Sequence, residues 1–204
     1  MDERVIDIPY LLRTLLVKGI ILNTRPKKSA KAYKKIWWDE GSPLVVLSKR
    51  LLAKVQKLTP TPIALAMRYG NPSIESGLKE LHEKGVDEVL LIPSYPQFAM
   101  ATTETILVLA EEIRKAQFPN MKFRSIPAFY NDEDYVKSLS NSIQRDLNKG
   151  NYDYLLFSYH GVPERHIKKS DVTKSHCKID GSCCNTPSAA HEFCYRHQCY
   201  QTTK

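Results

Sequence analysis

The sequence predicts an α/β protein built on a doubly wound parallel sheet. Two patterns carry that expectation. Short apolar runs of strand length alternate with longer stretches of helical spacing, and each run stops at a cluster of turn-forming residues. Strands separated by whole helices pair in parallel, because parallel neighbours need a long crossover. The ends of three runs carry Arg, Tyr, Gln or His, where a doubly wound sheet opens its ligand crevice.

The elements follow in order. The chain starts within a helical pattern around Leu11 to Leu22, with no strand before it. Ser42 to Leu58 is amphipathic and opens on Ser42-Pro43, a helix-start signal. Ile63 to Met67 reads as a strand ending at Arg68-Tyr-Gly-Asn-Pro72. Ser73 to Lys84 is helical and stops at Gly85. Val89 to Ile92 is a strand ending at Pro93-Ser-Tyr-Pro-Gln97, and Thr102 or Thr103 caps a helix reaching about Ala116. Phe123 to Ile126 and Tyr154 to Ser158 are further strands, with a helix near Asp132 to Leu147 between them. The end, Gln201-Thr-Thr-Lys204, still lies in a helical pattern. A doubly wound domain usually opens with a strand, so an incomplete chain is expected.

With 204 residues, the chain has room for one sizeable domain, or one domain and a piece of another. No apolar run reaches the roughly 20 residues that cross a bilayer, and no secretory pattern precedes Leu11. A cytoplasmic location is expected. The formal net charge of +8 suits an anionic partner, but the basic residues are spread out apart from Arg25-Pro-Lys-Lys28 and Lys31 to Lys35. Basic and aromatic residues do not interleave, so no nucleic-acid partner is expected.

His160 follows the run Tyr154-Leu-Leu-Phe-Ser158 and precedes Gly161-Val-Pro163, which places it at the carboxyl end of a strand. Histidine takes or gives a proton near neutral pH, and strand ends at a crevice are where such chemistry is done. A satisfied surface histidine is the plainer alternative. Together with Arg68-Tyr69 and Tyr95-Pro-Gln97, His160 suggests a pocket with aromatic walls.

The five cysteines are Cys177, Cys183, Cys184, Cys194 and Cys199, all near the end of the chain. Such clustering in a cytoplasmic protein favours a metal or iron–sulfur site over a disulfide framework. The side chains of adjacent Cys183 and Cys184 diverge in most backbone geometries, so one of the two is expected to ligate beside Cys177, Cys194 and Cys199. On one helix Cys194 and Cys199 would stand roughly 140° apart, so Cys194 should precede the last helix or open it. A [2Fe–2S] cluster is narrowly preferred; structural zinc, with His176, His191 and His197 at hand, and inert buried cysteines stay open.

These pieces together resemble the ferrochelatases, which insert ferrous iron into a porphyrin. The matches are Val5-Ile-Asp-Ile-Pro9, Arg25-Pro-Lys-Lys-Ser29 with Ala32-Tyr33, Gly41-Ser-Pro43, Met67-Arg-Tyr-Gly-Asn-Pro72, Pro93-Ser-Tyr-Pro-Gln97, Thr102-Thr103 and Phe157-Ser-Tyr-His-Gly-Val-Pro-Glu-Arg165. The resemblance implies two similar Rossmann-like domains around a porphyrin cleft, here 1–150 lacking its first strand and 151–204 beginning the second. It implies His160 as proton acceptor and contact with the Fe2+ substrate, and Arg68, Tyr69, Tyr95, Gln97, Phe98, Thr102 and Thr103 around the porphyrin. Arg25 would lie near the propionates. The cysteine segment looks like the [2Fe–2S] insert of some bacterial members. The family's first strand and the later half of its second domain, with an acidic partner of the histidine, would lie outside the chain, so the fragment alone is expected to be inactive. The porphyrin would be protoporphyrin or coproporphyrin, the protein a monomer or homodimer with peripheral membrane contact. A cobalt or iron chelatase of a reduced tetrapyrrole, and a non-catalytic iron–sulfur or zinc module, are the rival readings.

Overall fold

The computed structural model describes residues 2–204. A helical stretch opens it: α1 (Tyr10–Leu15), a π-helical segment (Leu16–Ile21) and α2 (Leu22–Tyr33) follow one another without a break. Arg13 is buried on it and donates to the Ile6 carbonyl at 3.3 Å. Tyr10, Leu11, Leu12, Leu15, Ile20 and Leu22 are exposed.

Local chemistry explains where the next helices begin. Pro43 occupies the first position of α3 (Pro43–Val55), where its fixed φ suits a helix and its missing N–H costs nothing. The Ser73 hydroxyl accepts the Ser76 N–H at 3.0 Å and caps α4 (Ile74–Glu83). Ile74, Leu78 and Leu81 are buried at the spacing of one helical face. Gly77 shares that face because a Cβ there would lie 3.3 Å from the Ala66 Cβ. The glycine lets the segment before Arg68 run close against α4.

Strands β1 (Glu88–Leu91) and β2 (Lys122–Ser125) form a two-stranded sheet joined through α5 (Thr105–Gln117). The Lys122 N–H donates to the Asp87 carbonyl and the Ile126 N–H to the Leu91 carbonyl. Both numbers rise together, so the strands are parallel and the α/β expectation holds. Past the end of α5, Arg114 donates to the carbonyls of Pro119 and Met121, each at 3.1 Å. Its Nε and Nη2 also grip the Glu111 carboxylate, at 2.7 and 2.8 Å.

Two expected strands do not form ladders. Ile63 to Met67 pairs only through the isolated bridge of Met67 with Ser73, and Tyr154 to Ser158 has no ladder partner among the described residues. Leu156 is 88% exposed. An apolar run signals burial in a sheet, but a strand exists only where a neighbour supplies hydrogen bonds.

Helix α6 (Glu133–Leu147) is capped by Asp132, whose carboxylate accepts the Tyr135 N–H at 3.0 Å. Helix α7 (Glu164–Ser170) starts directly after Pro163, a helix the sequence reading did not include. The last helix, α8 (Tyr195–Thr203), begins one residue after Cys194, as the cysteine spacing requires. The chain divides into two compact units, residues 2–89 with 108–123, and residues 90–107 with 124–204. Among the described residues, no helix is long and apolar enough to cross a membrane.

Candidate active site and cysteine cavity

Three of the expected site residues belong to the first unit. Arg25 is exposed on α2. Arg68 is mostly buried, pairs with the Asp2 carboxylate at 3.0 Å, and lies over the Tyr69 ring at 4.6 Å. The Tyr69 side chain is exposed. Arg68 therefore has an ionic and an aromatic neighbour that fix its guanidinium.

The remaining candidates lie in the second unit. Tyr95 is partly exposed, whereas Phe98 is buried with its ring edge-on to Phe193, centroids 5.1 Å apart. Gln97 donates to the Thr202 hydroxyl at 2.8 Å. Thr102 and Thr103 lie in a π-helical turn (Met100–Glu104) ahead of α5, a local departure from α-geometry frequent at functional sites. The buried Thr103 hydroxyl finds no hydrogen-bond partner among the described residues.

His160 is exposed, and its main chain lies near the Tyr195 phenol at the start of α8. Burial, with the neighbouring Cys199, pushes that phenol up to about 12. Burial raises the neighbouring Cys199 thiol as well. Tyr159, one residue before His160, is also raised by burial and by Cys199. Tyr195, Gln198 and Thr202 fall at i, i+3 and i+7, one face of α8. Gln198 is fully buried. Its side-chain oxygen accepts the Phe98 N–H at 2.6 Å, and its amide donates to the carbonyls of His191 and Glu192 at 3.2 and 2.7 Å.

Four cysteines, Cys177, Cys183, Cys184 and Cys194, line one cavity of about 210 Å³ with Arg196 on its wall. The expectation that Cys183 and Cys184 diverge is not met. They sit in a 3-10 turn (Ser182–Asn185) whose tight winding leaves both on the cavity. Cys199 does not line it; its neighbours are the phenols of Tyr195 and Tyr159. Burial first, and then neighbouring sulfurs, raise the thiols of Cys177 and Cys184, the latter to about 11. Among the described residues, no three His, Cys, Asp or Glu side chains group to hold a single metal ion.

Three imidazoles surround the back of this turn. His176 and His191 each direct Nε2 at the Cys183 carbonyl, 3.1 and 3.2 Å away, and His197 directs Nδ1 at the Cys184 carbonyl, 3.0 Å away. A carbonyl only accepts, so each of these nitrogens carries its proton. The rings of His191 and His197 stack at 3.6 Å. The histidines that sequence reading held in reserve as zinc ligands thus serve the cysteine backbone.

A family model described as ferrochelatase matches residues 1–204, the whole chain. The chain belongs to the ferrochelatase family. It is 48% identical over 203 residues to the ferrochelatase of Pseudomonas syringae pv. tomato, covering 99% of this chain and 59% of that protein. It is 44% identical over 206 residues to the ferrochelatase of Opitutus terrae, covering all of this chain and again 59% of the relative. The chain thus spans about 59% of the length of these ferrochelatases.

Within this ferrochelatase-family chain the sequence reading missed Tyr195, Gln198 and Thr202. Their signal was available only in part. Polar residues at one-face spacing in a terminal helix resemble a solvated face, and nothing in the spacing says that they are buried. The histidine positions were visible, but their targets are backbone carbonyls, which a sequence does not mark.

Proposed function

We propose that the protein containing this chain inserts Fe2+ into a porphyrin, with His160 accepting pyrrole protons. The observation that carries the reading is the ferrochelatase match over every residue of the chain, which includes the His160 segment. Insertion of a dication releases two N–H protons, so a base is needed near the macrocycle centre. A neutral imidazole takes a proton without first losing one. His160 is exposed, which supports a side chain free to meet a ligand.

Around the porphyrin we place Arg68, Tyr69, Tyr95, Gln97, Phe98, Thr102 and Thr103, and Arg25 toward the propionates. Tyr69 and Tyr95 carry exposed ring surface suited to a flat apolar ligand. Phe98 is buried against Phe193, so its part is to hold the segment rather than to cover the ring. On the family's two-domain plan, residues 1–150 and 151–204 supply the first domain and the start of the second. The exposed Leu11, Leu12, Leu15, Ile20 and Leu22, followed by the basic run from Arg25 to Lys35, favour peripheral contact of a cytoplasmic enzyme with an anionic membrane.

A [2Fe–2S] cluster fits the cysteine cavity in donor number and type. It takes four thiolates, two on each of two irons, and Cys177, Cys183, Cys184 and Cys194 would hold it. Arg196 offsets the negative charge such a group brings. Metal insertion is redox-neutral, so the cluster supplies a cross-link between chain segments rather than electrons.

The test is His160→Ala in the full-length protein, with iron insertion followed by haem absorbance and porphyrin binding by fluorescence. Loss of insertion with binding retained is expected. Retained turnover overturns the base assignment, and absence of porphyrin binding in the unmodified protein overturns the reading as a whole.

A further inference from the structure

A continuous hydrogen-bonded path runs from the cysteine cavity to the segment that carries Tyr95 and Gln97. The Cys183 carbonyl accepts from the His191 imidazole at 3.2 Å. The His191 carbonyl accepts from the Gln198 amide at 3.2 Å, and the Gln198 oxygen accepts the Phe98 N–H at 2.6 Å. A second path lies beside it. Phe193 precedes Cys194 directly and packs edge-on against Phe98, while Thr202, one turn beyond Gln198, accepts from Gln97.

We infer that His191 and Gln198 are positioning residues that couple the occupancy of the cysteine cavity to porphyrin binding at the Tyr95–Phe98 segment. This rests on the function proposed above. Gln198 has no exposed surface, so any shift of its amide leaves the buried Phe98 N–H without its partner and takes a donor from the carbonyls of His191 and Glu192. His191 is fixed as well, by its stack on His197 and its bond to Cys183. A movement of the Cys183–Cys184 turn therefore has no slack in which to dissipate before it reaches Phe98. Occupying the cavity pins that turn through its two cysteines and ties it to Cys177 and Cys194, and emptying it releases the turn. Binding at Tyr95–Phe98 and occupancy of the cavity then favour one another by linkage.

The test is a thermodynamic cycle on full-length protein purified anaerobically. Gln198→Met keeps the side-chain length but removes both the donor and the acceptor. Iron and sulfide content give occupancy, and quenching of porphyrin fluorescence gives affinity, both independent of turnover. Emptying the cavity by chelation should weaken porphyrin binding at least about fivefold in the unmodified protein, and by much less in Gln198→Met. Equal weakening in both, or none in the unmodified protein, overturns the coupling. If Gln198→Met does not fold, His191→Phe takes its place, because it keeps the ring stack and the main-chain carbonyl but loses the bond to Cys183. A protein purified without iron or sulfide overturns the cluster reading and, with no occupant to couple, this inference with it, whereas porphyrin binding in that protein leaves the proposed function standing.

Discussion

The Gln198 side-chain oxygen accepts the Phe98 main-chain N–H at 2.6 Å, across a hundred residues of sequence. One turn further along α8, Thr202 accepts from the Gln97 amide at 2.8 Å, and its own proton faces the carbonyls of Tyr130 and Gln198, both at 3.0 Å. Tyr195, on the same helix face, lies near the His160 main chain, so one face of α8 adjoins both segments proposed to meet the porphyrin. The support is polar and buried, so it is specific in direction and costly to break.

Thr202→Val tests that support with little change of volume. It strands the Gln97 amide and removes a donor, for a loss of roughly 1–3 kcal/mol. The thermal midpoint should fall by several degrees, and proteolysis should speed up at the Tyr95–Phe98 segment. An unchanged midpoint would show that water replaces the hydroxyl, leaving α8 as packing alone.

The Glu111 carboxyl gives the acid side of stability a definite sign. The hydrogen bonds and charge of Arg114, with help from Lys115, hold it down at about 2 against burial. Its folded value lies below its unfolded one, so its contribution is complete above the ordinary glutamate range near 4.5 and is lost as pH falls through about 2. Glu111→Gln should lower the urea midpoint slightly at pH 7, since the pair is partly exposed and screened. The gap to the unmodified protein should close as pH is taken down from about 4.5 toward 2. Arg114→Met should cost more at every pH, because it also releases the carbonyls of Pro119 and Met121.

Much of this was legible in the sequence, for reasons that differ between elements. The helices at Pro43, Ile74 and Glu133 announce themselves through Pro at the first position or a Ser or Asp cap, signals that act within one turn. The strands at Val89 and Phe123 are apolar runs that do find a partner. Ile63 to Met67 and Tyr154 to Ser158 look the same in sequence and form no ladder, because pairing depends on a neighbour and not on the run itself. In the site, His160 and the cysteines stand out by residue type. The orientation of Cys184 depends on the 3-10 turn after Gly181, and the role of Gln198 on a burial that a Gln does not advertise.

Gly181 shows how tightly that turn is specified. Its φ of +83° is one that side chains resist, and a Cβ there would lie 2.6 Å from the Arg196 Nη2. Arg196 cannot swing away freely, because it donates to the Ile179 carbonyl at 2.7 Å and to the Tyr200 hydroxyl at 3.1 Å. Gly181→Ala should therefore cost roughly 1–3 kcal/mol, from left-handed backbone strain and the displaced guanidinium. In an Arg196→Ala background only the backbone part should remain. Urea melts of the four proteins measure the difference, and strict additivity would exclude the steric contact.

The division among the cysteines is the sharpest expectation for the cavity. Cys177, Cys183, Cys184 and Cys194 share its wall, whereas Cys199 is buried outside that wall, near Tyr195. If the four hold a [2Fe–2S] cluster, serine at any one of them should lower bound iron and sulfide several-fold and bleach the visible absorption. Cys199→Ser keeps a small polar group beside Tyr195 and should leave iron, sulfide and spectrum close to those of the unmodified protein. Its effect should appear in stability, since it changes a buried contact under the His160 segment. Loss of the cluster on Cys199→Ser, with retention on Cys184→Ser, would move the ligand set to the alternative the spacing alone suggests. Zinc in place of iron and sulfide in the anaerobically purified protein would exclude the cluster at this cavity altogether.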